Sequence, residues 1–238
     1  MTMPNSYFSF KQFTIYQDKS AFKVGTDGVL LGATAELAGV NRILDIGAGT
    51  GLIAIMLGQR CNAGIVAIEP DYNSYLQCCE NVQLCKWKER IKVEHTDLQN
   101  YKAVDGGFDL IVTNPPYFKD SLKNPDPKKS FARHNDSLST NEILTGVSNL
   151  LGERGRFYLI MPYIEGNAFI AAAREYDLYC YSIVKVRPLP TSEIKRLVLG
   201  FNREKTRVTE KNLTIEKGKR HNFTEEFMAL TKDFYLKF

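Results

Sequence analysis

Asn114-Pro115-Pro116-Tyr117 follows directly on the apolar run Phe108-Asp109-Leu110-Ile111-Val112-Thr113 and joins an amide, a rigid proline pair and an aromatic ring. At the end of a strand, these residue types can grip a flat, amino-bearing group. The Asn114 side-chain oxygen and a nearby backbone carbonyl can accept its two N–H bonds, while Tyr117 stacks beside it. The same tetrapeptide can also be a plain turn, since Pro stiffens the chain and Asn tolerates turn geometry. A second constellation precedes it: Asp45-Ile46-Gly47-Ala48-Gly49-Thr50-Gly51, between an apolar run and a helical pattern. A strand, a glycine loop and a helix in this order present backbone N–H groups and a helix N-terminus to a ligand. A dinucleotide fingerprint needs glycine at relative positions 1, 3 and 6. Here the glycines fall at 1, 3 and 5, with Leu52 at 6, which departs from a nicotinamide or flavin site. Glu69 lies at the close of the next apolar run, at an offset near the ~20 residues expected of a ribose-binding acid. Its carboxylate can accept both ribose hydroxyls of a nucleoside; followed by Pro70-Asp71, it also reads as a helix-entry signal.

These residues need strand ends to hold them, and the chain supplies strands at regular intervals. Tyr7–Phe10 and Phe13–Tyr16 alternate as a short β-hairpin, and Ala21 to Leu37 reads as a loop leading into a helix. Strands are expected at Arg42–Ile46, Gly64–Glu69, Ile91–His95, Phe108–Thr113 and Gly155–Met161, with a closing pair at Leu178–Val186 and Ile194–Phe201. Helices are expected at Gly51–Gln59, Asp71–Cys85, Asn141–Leu151, Gly166–Arg174 and Thr224–Leu236. Alternation of this kind predicts an α/β fold, a mostly parallel seven-stranded sheet with helices on both faces. Phe118 to Ser139 is the stretch weakest in regular structure. Long and polar, it reads either as a substrate-gripping loop or as a surface insertion.

The length of 238 residues suits one domain, expected as an N-terminal hairpin and closing segment over 1–38, a core over 39–203 and a basic extension over 204–238. The net charge of +4 is unevenly placed. Ile183 to Arg220 holds eleven Lys and Arg against four Asp and Glu, a local +7 that leaves −3 for the rest. That asymmetry suits a polyanionic partner, or a merely solvated basic face. Five cysteines without CxxC or metal-ligand spacing, and no secretory signal, suggest free thiols in a reducing cytoplasm and no metal. No stretch approaches the ~18 continuous apolar residues of a membrane span.

The Asp-x-Gly-x-Gly-x-Gly loop closely resembles that of class I S-adenosylmethionine-dependent methyltransferases, whose fold is Rossmann-like. That resemblance implies S-adenosylmethionine as cofactor, with the backbone at Asp45, Gly47, Gly49 and Gly51 close to its methionine and ribose parts. It implies Glu69 on the ribose, and Asp97 with the backbone of Leu98 on the adenine, although Asp97 also reads as a helix cap. The segment Lys23-Val24-Gly25-Thr26 would close over the methionine end, Lys23 neutralising the carboxylate and Thr26 or the Gly25 region donating to it. Within that family Asn-Pro-Pro-Tyr marks methylation of a nitrogen conjugated to a π-system: a nucleobase amine or a glutamine amide. A more specific resemblance covers nearly the whole chain. Phe10-Lys11-Gln12-Phe13, Lys23 through Ala33, the glycine loop and Asn114-Pro115-Pro116-Tyr117-Phe118 are similar to the bacterial tRNA1(Val) (adenine(37)-N6)-methyltransferase family. It implies Asn114, Pro115 and Tyr117 in catalysis, with Pro116, Phe118, Lys128, Lys129 and Arg133 on the anticodon stem-loop of a tRNA. A release-factor glutamine methyltransferase is disfavoured by the short segment before the glycine loop. A guanine-N2 enzyme of ribosomal RNA often carries a duplicated domain, which this chain lacks.

Overall fold

The protein is described by a computed structural model covering residues 5–20, 22–102, 106–116 and 138–237. A two-stranded antiparallel hairpin opens the chain, β1 (Tyr7–Ser9) with β2 (Thr14–Tyr16). Helix α1 (Thr26–Thr34) follows, then the alternation β3 (Arg42–Ile46), α2 (Leu52–Arg60), β4 (Gly64–Ile68), α3 (Tyr72–Leu84), β5 (Ile91–Glu94) and β6 (Phe108–Thr113). The second half runs α4 (Thr140–Leu150), β7 (Leu151–Pro162), α5 (Tyr163–Ala173), β8 (Tyr179–Arg187), β9 (Arg196–Asn202), β10 (Thr209–Thr214) and α6 (Glu225–Thr231).

One eight-stranded sheet carries the fold, in the order β10-β8-β9-β7-β6-β3-β4-β5. β5, β4, β3, β6 and β7 are parallel, and β9 enters antiparallel between β7 and β8. The central strands are buried on both faces, so they read as continuous apolar runs whose alternate side chains feed two cores. Ile43, Ile65, Leu110 and Val112 join the core that also holds α1–α3, α6 and the hairpin. Leu44, Ile46, Ile68 and Ile111 join the core under α4 and α5.

The seven expected strands are present, and an eighth extends the sheet. β10 pairs in parallel with β8 at the edge, although Thr209-Glu210-Lys211-Asn212-Leu213-Thr214 contains a single apolar residue, Leu213, which is also its buried one. An edge strand exposed along most of its length has no hydrophobic alternation to show, and charge there discourages edge-to-edge pairing. Helix α5 begins at Tyr163, three residues before the expected Gly166, because Pro162 can precede a helix but not continue one. The last helix is shorter than expected. Thr224 accepts from the Phe227 amide as its N-cap, and regular helix ends at Thr231, while Tyr235 packs on Phe8 and Phe10 and the Phe234 carbonyl accepts from Lys11 N–H.

Candidate active site

The register of the sheet assembles the site. Ile46 of β3 lies opposite Thr113 of β6 and Ile68 of β4, and Ile68 lies opposite Glu94 of β5. Parallel strands ending in step bring the next residues, Gly47, Asn114, Glu69 and His95, to one rim. That rim is the carboxyl edge, where open α/β sheets bind small molecules. A buried hydrogen bond of 2.9 Å, from the Thr113 hydroxyl to the Ile46 carbonyl, pins the entry to Asn114 against the entry to the glycine loop. Asn114 also faces α1: a methyl group placed on Gly28 would lie 4.0 Å from its Nδ2 and 3.0 Å from Leu52 Cδ2.

The glycine loop is held chiefly by the end of β4. The Gly47 and Ala48 amides both donate to the Ile68 carbonyl, at 2.9 and 3.0 Å, and the Gly51 amide donates to the Ala48 carbonyl at 2.8 Å. Gly49 N–H donates to Glu69 Oε2 at 2.8 Å. These N–H groups are therefore spent on acceptors of the protein itself. What the loop offers instead is surface. Gly47 and Gly49 adopt φ of +68° and +56°, and a Cβ on either would meet no atom within 4 Å. Gly51, at φ +81°, is different, since a Cβ there would strike Cys78 Sγ at 2.8 Å. Gly47 and Gly49 leave an open face; Gly51 makes room for α3.

Asp45 is completely buried beneath the loop. One carboxylate oxygen accepts from the Ala54 amide at 3.0 Å, so the side chain caps α2 from the neighbouring strand, in place of Gly51, which has no side chain to do so. Its other oxygen has no hydrogen-bond partner among the described residues. Burial pushes its pKa up to about 7, against the opposing bond from Ala54 and with a smaller push from the Glu69 charge. Glu69, also buried, has its pKa raised by desolvation, while the amides of Asp71 and Gly49 pull it back. Those amides occupy one lone pair on each oxygen, Asp71 N–H at 2.9 Å, so two acceptor sites remain. Beside it, Tyr72, Tyr75 and His95 cluster with ring centroids 5.1 to 6.2 Å apart, and the His95 ring bonds the Pro70 carbonyl at 3.0 Å.

The remaining expected site residues divide. Asp97 uses both oxygens on Asn100, accepting from its backbone amide at 2.8 Å and its side-chain amide at 2.9 Å, the arrangement of a cap. Leu98 is buried, its side chain against Gly146 of α4. Gly25 occupies the N-cap position of α1 with extended backbone and Thr26 opens the helix, both exposed. The Lys23 ammonium donates to the carbonyls of Gln17 and Ser20, tying down the strap before α1. Pro115 is buried and Pro116 half-buried beside it. Tyr117, Phe118, Lys128, Lys129 and Arg133, and with them the expected gripping loop, lie outside the described residues.

A polar seam holds that strap in place, and sequence reasoning missed it. Asn81 of α3 is fully buried, accepting from Tyr16 N–H at 2.8 Å and donating to the carbonyls of Tyr16 and Thr50, both at 2.8 Å. Gln77, also fully buried, accepts from Lys19 N–H at 2.9 Å, and the Ser20 and Ser74 hydroxyls meet at 3.1 Å. Gln17 takes the Val24 amide at 2.7 Å. A signal existed: Ser74, Gln77 and Asn81 recur at helical spacing on the same face as Cys78 and Val82, so polar residues occupied the buried stripe. Among the described residues no group of three His, Cys, Asp or Glu could hold a metal ion, and no helix is long and apolar enough to cross a membrane.

Residues 19–160 match the family model described as a methyltransferase small domain. The chain is 46% identical over 236 residues to a tRNA1(Val) (adenine(37)-N6)-methyltransferase of Bacteroides thetaiotaomicron, covering 98% of this chain and 99% of the relative. To the Phocaeicola vulgatus protein of the same name it is 45% identical over 234 residues, with the same coverage. The chain belongs to this methyltransferase family. In fold it is similar to the crystal structure of a predicted O-methyltransferase from Agrobacterium tumefaciens, with TM-score 0.68, 20% identity, and coverage of 87% of this chain and 96% of that one. It is also similar to Pyrococcus horikoshii TYW2 in complex with MeSAdo, with TM-score 0.52, 14% identity, and coverage of 83% and 71%.

The protein is accordingly an S-adenosylmethionine-dependent methyltransferase, and its residues fit that cofactor. The open face over Gly47 and Gly49 admits a ligand where any side chain would intrude. Glu69 retains acceptor capacity for a pair of hydroxyls, and Asp45 carries an unpartnered buried acceptor beneath the loop.

Proposed function

We propose that the protein transfers a methyl group to N6 of an adenine in tRNA, adenine 37 beside the anticodon of tRNA1(Val), in the cytoplasm. The observation that carries this reading is the register of β3 with β6. It seats Asn114-Pro115 immediately beside the glycine loop, with Thr113 bonded to Ile46 between them. The names of relatives at 45–46% identity supply the tRNA and the base position.

An exocyclic adenine nitrogen is a poor nucleophile because its lone pair is delocalised into the ring. With the Asn114 side-chain oxygen and the Pro115 carbonyl each accepting one N–H, the nitrogen is held as it pyramidalises, which withdraws its lone pair from the ring π-system and directs it toward the methyl carbon. Orientation and electrostatic stabilisation then supply the acceleration, and no strong base is needed, since the proton is lost to water after the new N–C bond forms. S-adenosylmethionine, when bound, supplies the electrophilic methyl carbon. Glu69 would take its ribose hydroxyls, Gly47 and Gly49 would allow close approach above Asp45, and Asp97 with the backbone of Leu98 would meet the adenine, while Gly51 serves the site by letting α3 pack beneath the loop. Lys23, Gly25 and Thr26 close the methionine end. Tyr117, with Pro116 and Phe118, stacks on the swung-out base. Lys128, Lys129, Arg133 and the basic carboxyl-terminal third hold the phosphates of the anticodon stem-loop.

The test is methyl incorporation from labelled S-adenosylmethionine into tRNA lacking the modification, with a release factor as the competing acceptor. Asn114→Ala is expected to leave cofactor affinity within about twofold and to lower turnover by ~10²-fold or more, the scale of losing one oriented hydrogen-bonding group. Label in the release factor and none in tRNA refutes the proposal.

A further inference from the structure

Helix α1 is the wall behind the acceptor motif. Gly28 and Gly32 share one face of it and meet Leu52 and Met56, which share one face of α2. A Cβ on Gly28 would lie 3.0 Å from Leu52 Cδ2, and one on Gly32 would lie 3.0 Å from Met56 Sδ. The two helices approach this closely because neither glycine has a side chain to keep them apart. Of the Asn114 atoms, Nδ2 lies nearest the Gly28 Cβ position, at 4.0 Å. A shift in the first turn of α1 therefore bears directly on the Asn114 amide.

An arginine holds each end of α1. At the carboxyl end, Arg60 Nη1 donates to the carbonyls of Gly32 and Ala35, at 2.7 and 2.8 Å, which satisfies groups that a helix end leaves open. At the amino end, Arg196 Nε donates to Asp27 Oδ2 at 2.8 Å, across 169 residues of chain. The same guanidinium donates through Nη1 to the Lys195 carbonyl at 3.0 Å, and that carbonyl also accepts from Tyr163 N–H at 3.2 Å. Tyr163 follows β7, and β7 lies beside β6 in the sheet. The contacts close a circuit: from Asp27 to the start of β9, from there to the end of β7, across to β6, and from Asn114 back to Gly28. The Asp27 and Arg196 side chains are 26% and 33% exposed, and a pair so open to water adds little to global stability. Burial of Val29, Leu30, Leu31 and Ala33 is what keeps α1 in the core. The ion pair adds a fixed position for the first turn.

We infer that Asp27 and Arg196 are positioning residues for methyl transfer: their ion pair sets the first turn of α1, and Gly28 in that turn sets the Asn114 amide. This role rests on Asn114 gripping the acceptor nitrogen, as proposed above, and adds two residues that act through it. Oriented transfer is steep in distance, and a misplacement of ~1 Å that originates away from the chemistry can lower the rate ~10²-fold. Loss of the pair therefore appears in kcat, while cofactor and tRNA are still bound.

The test uses the full-length protein, labelled S-adenosylmethionine and tRNA lacking the modification. Asp27→Ala and Arg196→Met are each expected to lower kcat by about tenfold or more, with the KM for tRNA and the Kd for S-adenosylmethionine within about threefold of wild type. The double variant is expected to lose no more than either single one. Arg196→Lys, which keeps a cation facing Asp27, is expected to recover most of the kcat. In single-turnover measurements, Asp27→Ala is expected to slow the wild type but not Asn114→Ala, where nothing is left to position. Unchanged kcat in both single variants, or equal losses on the wild-type and Asn114→Ala backgrounds, overturns the role and leaves the methyltransferase reading intact. A raised KM for tRNA in Arg196→Met, with kcat unchanged, assigns Arg196 to the RNA and overturns the role as well. Wild-type turnover in Asn114→Ala alone refutes the acceptor reading, and the role of the pair with it.

Discussion

Gly49→Ala and Gly51→Ala are the same chemical change two residues apart, in the same left-handed backbone region, and the structure assigns them opposite consequences. An L-residue in that region costs ~1–2 kcal/mol. For Gly49 that is the whole folding penalty, because its Cβ meets nothing within 4 Å. At ~2–4 °C per kcal/mol for a chain of this size, Tm should fall by about 2–8 °C. For Gly51 the new Cβ also sits 2.8 Å from Cys78 Sγ, in a fully buried contact. Overpacking adds ~1–3 kcal/mol, for a total near 2–5 kcal/mol. Cofactor affinity should order the other way. The Gly49 methyl occupies the face left open for the ligand, and a tenfold or greater loss in Kd for S-adenosylmethionine is expected, while correctly folded Gly51→Ala should bind within a few fold. Adding Cys78→Ala to Gly51→Ala removes the sulfur and should return the ~1–3 kcal/mol overpacking part as a favourable coupling in a double-mutant cycle. Urea unfolding and isothermal titration calorimetry measure both quantities. Wild-type cofactor affinity in Gly49→Ala would refute the assignment of the open face, and zero coupling with Cys78 would refute the packing role of Gly51.

Two further outcomes follow from buried polar groups. Asp45 has its folded pKa raised from 3.8 to about 7, so its contribution to stability is fully present below pH ~4 and is lost as pH rises through 7. Asp45→Asn, which keeps an acceptor for Ala54 N–H, should therefore gain on wild type between pH 5 and pH 8 by about 2–3 kcal/mol, and parallel urea-denaturation profiles at the two pH values would contradict it. Asn81→Ala strands the Tyr16 amide and the carbonyls of Tyr16 and Thr50, and should cost ~2–4 kcal/mol with earlier proteolysis at the hairpin; a loss below ~1 kcal/mol would mean that water replaces the amide.

How legible the site was depends on how far along the chain its causes lie. The strand-to-glycine-loop turn at Ile46-Gly47 and the strand-to-Asn114 turn are set by local backbone demands, and residue type announces them. Apolar runs such as Ile43–Ile46 announced the buried parallel strands for the same reason. β10 announced nothing, because an edge strand exposed along four of its six residues needs no hydrophobic period. The seam of Asn81, Gln77 and Gln17 was hidden by distance. Its bonds join residues 65, 58 and 7 apart, and a polar residue on a helix reads as solvated until the strand it satisfies is found. In sequence Asp45 reads as part of a ligand loop through its backbone, and the structure adds that its carboxylate caps α2 from outside that helix.

The glycine loop combines both cases. In sequence Gly47, Gly49 and Gly51 are three equal members of one motif. Their backbone angles keep them equal, all at positive φ. Only α3, which follows in the chain and lays Cys78 against Gly51, separates them into two open positions and one packing position. A carboxylate then ties the two structures together: Glu69, just before α3, accepts from Gly49 N–H through one oxygen and from Asp71 N–H through the other, and Asp71 caps α3 by accepting from Ser74. The loop that receives the cofactor and the helix that carries the Asn81 seam are thus positioned by one side chain.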